Sequence, residues 1–524
     1  MRSFALPLWL LILTAGLMTL NLNGYLLFDH DEGAFSEATR GMFERGDFLT
    51  TYLNDNPRFD KPILIYWLQA ASIAVFGTDV WAFRLPSALA GIGWVWAIFA
   101  FTRRFTDQPT AVSASLIAAT ALGINVICHV ATADALLNML LATTLLTMYA
   151  WSQSPHKGLL YLVYVLMALG TLTKGPVAVV IPFLAGGLFF IAAGQFRDFL
   201  RAIFFVPGWI VFVVIAVPWY ILEYLAQGQA FIDGFFFKHN VNRFNNAMEG
   251  HDGGFLFYPL VLPFLLAPFG GLLLRILPSA RALMVGGDKL DRFLWIWFLV
   301  VLVLFSLAST KLPHYILYGV TPLVILMARH REWLQSRWLA AVFPLIVLSL
   351  LVAFPLLIPV VESRLTNPIE IATAQRAAVF FDRDFVIVAA IGALIALAVI
   401  FWPRLKPWQA LCASGAAQLI LLWFLFVPMF SETQQRPVWE AAMFARGLDE
   451  PVYTQSVNLP SFNVYLDKVT EKRSLEPGEI GFAREDRIKY DDYQILFQSG
   501  PVLIIRRDDV TAEPITAEPV PHED

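Results

Sequence analysis

Between Asp29 and Lys61 the chain reads DHDEGAFSEATRGMFERGDFLTTYLNDNPRFDK. Asp29, Asp31 and Glu32 fall within four positions, directly after an apolar run long enough to cross a bilayer. Lys61 closes the stretch, ahead of Pro62. Carboxylates at the end of a membrane span are costly unless they are paired or in use. One such carboxylate can orient or deprotonate an incoming hydroxyl. A lysine or arginine nearby can stabilise a leaving group that gains negative charge as its bond breaks. Similar groups recur along the chain: His129, Thr132 and Asp134, then Lys174, then His239 and Arg243, then Lys311, His314 and Tyr315.

The elements that must position these groups are membrane spans. The chain of 524 residues is 58% hydrophobic and 15% charged, with 44 Phe and 16 Trp, and its mean hydropathy is +0.63. That composition fits a polytopic helical membrane protein and not a soluble one. A net charge of −4 gives no nucleic-acid footprint. Cys128 and Cys412 form neither a disulfide framework nor a zinc spacing.

At about 20 residues per crossing, thirteen spans are expected. They are Leu6–Phe28, Trp81–Phe101, Ala111–Ile127, Ala133–Trp151, Leu159–Leu172, Pro176–Ala193, Phe204–Ile221, Phe255–Leu277, Phe293–Leu307, Ile316–Ala328, Trp338–Val361, Phe385–Trp402 and Ala410–Phe430. The first is too long, and lacks the small-residue end, of a cleaved signal peptide.

Charge decides the sidedness. If Pro62–Phe76 lies in the interface, the loops rich in Lys and Arg all fall on one side: Arg103–Arg104, Lys157, Arg197 with Arg201, Arg275 to Arg292, Arg329 to Arg337, and Arg404 with Lys406. That side is the cytoplasm. Glu32–Arg45 has the period of a second amphiphilic helix, and the two together are expected to lie flat and roof a cavity. The polar groups listed first then share the opposite face.

After Ser431 charges become frequent, and PVYTQ, NVYLDKVT and PVLIIRR read as strands. The expected domains are residues 1–430 in the membrane, a small C-terminal α/β domain over 431–510, and a disordered acidic tail over 511–524.

Each polar group also has a plainer reading. Asp31 and Glu32 suit a helix N-terminus, and Asp134 could be an N-cap. Lys174 and Lys311 could be snorkelling lysines, and Arg243 could pair with Glu249 or Asp252. Their common sidedness favours a shared site. There the candidates for stabilising a leaving group that gains negative charge are Lys61, Arg243, Lys311 and the Tyr315 hydroxyl, and Asp31 is the carboxylate opposite. Glu32, next to Asp31 but pointing elsewhere on its helix, should tolerate substitution by Gln better than Asp31 tolerates Asn.

These residues carry a resemblance. DE (Asp31, Glu32), FDKP (Phe59 to Pro62), TADALL (Thr132 to Leu137), LTKGP (Leu172 to Pro176), FFFKHNVNRF (Phe235 to Phe244), HDGGFLFYPLVLP and STKLPHYIL (Ser309 to Leu317) occur in family order. Together they resemble the GT-C glycosyltransferases, closest to the protein mannosyltransferase and aminoarabinose transferase (ArnT-like) family.

The resemblance implies a thirteen-span fold with a C-terminal periplasmic domain in a bacterial inner membrane. It implies inverting transfer of a sugar from undecaprenyl phosphate to a lipid or protein acceptor. Asp31 would be the catalytic carboxylate, and Lys61, Arg243 and Tyr315 would hold the carrier phosphate. Glu32, Asp134 and His239 would position sugar or acceptor. No cofactor is required, although some members hold a divalent metal, for which Asp60 and His239 are the candidates here. Asp60 in place of Glu, Tyr318 in place of Pro and the short C-terminal domain depart from the ArnT pattern. They bear on donor sugar and acceptor more than on reaction class. A lipid or sugar flippase is the alternative, but such transporters show paired, interrupted halves, and the sequence has no internal repeat.

Overall fold

The computed structural model describes residues 7–242, 253–488 and 491–508. It is a bundle of apolar helices capped at one end by a small α/β layer. The helices that matter for the site are α1 (Leu8–Met18), α2 (Asp31–Arg45), α3 (Leu64–Phe76), α4 (Val80–Phe105), α5 (Gln108–Thr120), α6 (Leu122–Cys128), α7 (Asp134–Gln153), α8 (Lys157–Lys174), α9 (Val177–Ala192), α10 (Phe196–Ile203) and α11 (Val206–Gln227). Further on come α12 (Phe257–Leu265), α13 (Gly270–Ile276), α14 (Lys289–Leu307), α15 (Val320–Arg329), α16 (Arg337–Glu362), α17 (Pro368–Phe380), α18 (Arg383–Ile400), α19 (Pro407–Leu421) and α20 (Val427–Gln434). The protein is a multi-pass membrane protein: among the described residues eight helices are long and apolar enough to cross a bilayer, or nine if α5 and α6 are one bent span.

The other five expected spans are shorter or interrupted. α1 ends at Met18 and not near Phe28, because the chain turns at Asn21, which has a positive φ of 52°. Its side-chain amide is tied to the Trp423 carbonyl, 2.6 Å away. α5 and α6 are bent by 63° at Ala121, and the run from 257 to 276 breaks between Leu265 and Gly270. The two breaks meet: the Leu122 amide donates to the Ala267 carbonyl at 2.9 Å. Backbone freed from a helix within a membrane must find such a partner. Gly415 of α19 lies against this junction, where a Cβ would come 3.0 Å from the Thr120 carbonyl oxygen.

The two ends of the bundle sort as the charge pattern expects. At one end Arg331 donates to the Thr110 hydroxyl at 3.1 Å and Arg292 to the Ala192 carbonyl at 3.2 Å. There too Arg329 pairs with Asp288 (2.6 Å) and Asp291 (2.7 Å), and Lys406 with Glu332 (2.9 Å). Asp107, Asp288 and Ser336 cap α5, α14 and α16 at this end, each relieving an orphaned helix N–H.

The opposite end carries α2, α3 and the C-terminal layer. Here the Thr50 hydroxyl bonds Glu223 of α11 at 2.8 Å, and the Trp219 indole donates to the Leu49 carbonyl at 3.0 Å. Between α2 and α3 a hairpin, β1 (Tyr52–Leu53) and β2 (Asn56–Pro57), turns through Asn54 and Asp55. Both have positive φ, 48° and 64°, as a tight primed turn requires.

α2 departs from expectation. It does not lie flat with one face uncovered: Glu32 to Met42 are all buried. One side packs on α3, where Phe35 stacks on Tyr66 (5.3 Å) and the Thr39 hydroxyl bonds Gln69 at 2.8 Å. The other side lies under the C-terminal domain, whose Val469 amide donates to Glu44 at 3.0 Å. Gly33 permits this approach, since a Cβ there would stand 2.8 Å from the Ser461 amide nitrogen. The polar pair on the covered side is internal, Arg40 to Glu37 at 2.8 Å, so burial leaves no lone charge. α3 does keep an uncovered apolar face, with Val75 73% and Phe76 48% exposed.

The C-terminal domain is α/β. Its sheet runs β3 (Val452–Thr454), β4 (Ile480–Arg484), β6 (Val502–Arg507), β5 (Tyr493–Ser499) in spatial order, with only β3 and β4 parallel. Two helices, α21 (Arg436–Arg446) and α22 (Ser461–Leu466), pack with it. PVYTQ and PVLIIRR contribute strands as expected. NVYLDKVT does not: Val464, Tyr465 and Leu466 belong to α22, which ends on a left-handed Asp467 (φ 60°). The tail from 511 lies outside the described residues.

The partition gives a topology. Single cysteines at Arg103, Lys157, Arg281 and Arg331 should label from one side of the membrane, and one at Tyr453 from the other. Finding Arg281 and Tyr453 labelled from the same side overturns the assignment.

Candidate active site

Three carboxylates in four positions have three destinations. Asp29 turns outward to the C-terminal domain, its Oδ1 accepting from the Ser461 amide at 2.9 Å and its Oδ2 bonded to the Ser461 hydroxyl. Glu32 turns inward to Arg84 of α4, with oxygen–nitrogen distances of 2.8 and 2.9 Å. Asp31, the first residue of α2, is exposed and makes no hydrogen bond or ion pair among the described residues.

The Glu32–Arg84 pair is fully sequestered, with side chains 2% and 0% exposed. Glu32 also accepts from the amides of Phe28 (3.1 Å) and Ala131 (2.8 Å). Arg84 also donates to the carbonyls of Leu22, Tyr25 and Leu26 at 2.7–2.9 Å, and lies 3.7 Å over the Tyr25 ring. Both oxygens of Glu32 are thus committed to holding four chain segments together. The expectation that Glu32 positions substrate, and that its loss is mild, gives way to a structural assignment.

Asp31 faces a cluster of opposite and like charges. It is in electrostatic reach of Arg58 and His314, and Lys61 is in reach of His314 and Asp134. Asp134 opens α7 but caps nothing. Its carboxylate holds the Lys174 ammonium at 2.5 Å, with the Tyr318 hydroxyl at 3.4 Å and His314 Nε2 at 3.7 Å. Lys174 sits 5.3 Å over the Tyr315 ring and 5.8 Å over that of Tyr318, so it is a buried partner and not a snorkelling lysine. Tyr315 meets His314 edge-on at 4.8 Å. The structure therefore brings Asp31, Lys61, Asp134 and Tyr315 into one cluster, with Lys174 and His314.

The remaining expected groups fare differently. Lys311 is buried, and its ammonium caps the end of α14, donating to the carbonyls of Ser306 (2.9 Å) and Ala308 (2.6 Å), where the helix dipole favours a cation. His129 is packed in the core, stacked on Trp423 at 4.0 Å with its Nδ1 2.8 Å from the Asn125 carbonyl. His239 belongs to a π-helical segment, Ile232–Asn242, but its side chain, like the whole of Arg243, lies outside the described residues. Asp60 pairs with Arg58 at 3.1 Å. Among the described residues no group of three or more His, Cys, Asp or Glu could hold a metal ion.

Two residues of the cluster were not singled out from sequence. Arg58 donates to the Tyr66 hydroxyl at 2.8 Å and lies 5.0 Å over the Phe35 ring. Tyr318 stood out only as a departure from a family motif. The signal for Arg58 was the hairpin, since Asn54–Asp55 delivers the Arg58 to Lys61 run to the mouth of the site.

Comparison with known proteins bears on the fold. Residues 60–221 match the family model described as dolichyl-phosphate-mannose-protein mannosyltransferase. An uncharacterised protein of Aquifex aeolicus is 29% identical over 341 residues, 61% of this chain and 72% of that protein. The undecaprenyl phosphate-alpha-4-amino-4-deoxy-L-arabinose arabinosyl transferase of Yersinia pestis is 28% identical over 319 residues, 59% of this chain. The match spans only 56% of that enzyme's length. ArnT from Cupriavidus metallidurans bound to undecaprenyl phosphate superposes with a TM-score of 0.79 at 20% identity, covering 95% of this chain and 97% of ArnT. Its apo form gives 0.75.

A helical bundle with polar groups gathered at one end under a small α/β layer is the GT-C architecture of glycosyltransferases. Within that architecture the fold is similar to that of ArnT.

Two predictions follow from the divided carboxylates. Glu32→Gln and Arg84→Met each leave an uncompensated buried charge and should lower stability by about 3 kcal/mol or more, whereas Asp31→Asn should leave the melting temperature nearly unchanged; thermal unfolding of the purified variants compares them. Burial pushes Asp29 from the usual 3.8 up to about 7. A carboxyl raised in the folded state contributes stability that is complete below its unfolded value and lost as pH rises through the folded one. Melts across pH should show the wild type losing ground to Asp29→Asn between about pH 4 and about pH 7, with no further change above. A parallel pair of curves contradicts the assignment.

Proposed function

We propose that the protein is an inverting glycosyltransferase that takes a sugar from undecaprenyl phosphate and passes it to a lipid or protein acceptor at the bacterial inner membrane. The end bearing Asp31 and the C-terminal domain would face the periplasm. The observation that carries the reading is the uncommitted Asp31 carboxylate facing the Lys61, Asp134, Lys174 and His314 cluster. Support comes from the ArnT fold, whose Cupriavidus representative binds undecaprenyl phosphate, and from a Yersinia relative named for an undecaprenyl-phosphate-linked sugar donor.

The chemistry follows from the charges. Asp31 accepts the proton of the incoming hydroxyl while that oxygen attacks the anomeric carbon. The bond from that carbon to the carrier phosphate breaks on the opposite face, and configuration inverts. The phosphate leaves with one more negative charge, which Lys61, Arg243 and the Tyr315 hydroxyl stabilise in this proposal, while the Lys311 ammonium is committed to carbonyls at the end of α14. Asp134, held by Lys174 and Tyr318, orients the sugar between them. In this proposal His239 helps to position the sugar or the acceptor.

The test is turnover of an undecaprenyl-phosphate-linked sugar by purified variants, beside a melting curve for each. Asp31→Asn should lose about 100- to 10,000-fold in rate while remaining folded. Lys61→Ala should lose about ten- to a hundredfold, with any acceptor, because the carrier is common to all. A folded Asp31→Asn protein with near wild-type turnover removes Asp31 from the mechanism.

A further inference from the structure

A cavity of about 300 Å³ lies against the Asp29–His30 turn. Three parts of the chain meet there: that turn, α17 with Thr373 and Arg376, and the domain side with Gln435 and Arg484. One water occupies about 30 Å³ of liquid, so the space is several times larger than a single bridging water needs.

The polar groups around it are unevenly satisfied. Both Asp29 oxygens are taken by Ser461, and Arg484 is held by Asp486 at 2.6 and 2.8 Å. Arg376 makes no hydrogen bond or ion pair among the described residues, and its Nε is closed off from solvent. Its guanidinium stands 5.9 Å from the Phe380 ring centre, its Nη1 beside Gly500. Gln435 is only 4% exposed, and its Oε1 likewise has no partner. Buried polar atoms in native proteins are almost always bonded, and leaving one unmet is costly. An arginine and an amide, both unmet and both lining one cavity, describe a missing ligand with an anionic oxygen beside a hydroxyl.

We propose that this cavity binds a phosphorylated sugar, with the phosphate on Arg376 and a neighbouring hydroxyl on the Gln435 amide. A guanidinium fork matches phosphate oxygens in geometry and charge. The amide can donate or accept according to its orientation, as a sugar hydroxyl requires. The ligand touches α17 and the C-terminal domain together, so its binding staples the domain to the membrane bundle. Nothing in this site depends on the glycosyl-transfer reading, and it is tested without donor.

The probe is glucose 6-phosphate, titrated by calorimetry into the full-length protein in detergent, with glucose as the neutral control. A second arm presents phosphatidylinositol 4-phosphate in nanodiscs, which separates a lipid-borne phosphosugar from a free one. Binding of either probe, with glucose silent, is expected, and the melting temperature should rise with ligand. Arg376→Gln should weaken binding about tenfold or more. Ala372→Trp, at the cavity wall, should weaken it as much by filling space without touching charge, and serves alone if the arginine variant does not fold. Equal response to glucose and glucose 6-phosphate with no binding in the lipid arm, or unaltered affinity in the folded variants, overturns the proposal.

Discussion

One buried ion pair holds the working end of this protein in register. Glu32 and Arg84 meet where the first helix ends, the first loop helix begins, the second long helix starts and the turn before α7 passes. A pair this deeply buried contributes little net energy compared with well-packed apolar groups, but its partners cannot be separated cheaply. Its extra bonds to backbone at Leu22, Tyr25, Leu26, Phe28 and Ala131 convert that stringency into geometry. The direction in which Asp31 points is set by the acidic residues that flank it being tied down, Asp29 to Ser461 and Glu32 to Arg84.

The site then divides labour by burial. Asp134 is neutralised by Lys174, which itself lies over the rings of Tyr315 and Tyr318, so a charge can stand within the bundle as a fixed dipole source and not a reactive group. Asp31 stays exposed and uncommitted at the first turn of α2. Two carboxylates on one face therefore have different chemical availability, decided by what surrounds each and not by residue type. The hairpin at Asn54–Asp55 adds the cationic side, because its reversal returns the chain with Arg58 and Lys61 toward the same opening.

Much of this was legible in the sequence, and the parts that were not share a cause. The bundle, the basic end, α3 and the gathering of Asp31, Lys61, Asp134 and Tyr315 follow from hydropathy, loop charge and motif order, all of which are local or one-sided signals. Glu32 was misread because its partner, Arg84, lies 52 positions away inside an apolar run, and no spacing rule announces such a pair. α2 was taken for a surface helix because its covered face is made of Gly33, Ser36 and an internally paired Glu37–Arg40, which resembles a solvated face until a second layer is known to sit on it. NVYLDKVT has strand-like composition, but six residues of it and its flank pack as a helix on Phe482, with the Phe462 ring 3.8 Å away. The interruptions near Ala121 and Leu266 were invisible because their apolar runs are unbroken.

Those interruptions bear on how the protein is made. A translocon releases segments into lipid in order of synthesis, and a straight helix can leave as soon as it is complete. The segment around Ala121 is different, since the Leu122 amide finds its acceptor on Ala267, a residue synthesised about 145 positions later, and a polar backbone group left unmet in hydrocarbon is strongly disfavoured. α5 and α6 must wait, sheltered by the insertion machinery or by a temporary straight helix that later kinks. Biogenesis of this chain is therefore not a sequence of independent insertions but a delayed closure, completed only when the eighth apolar run arrives.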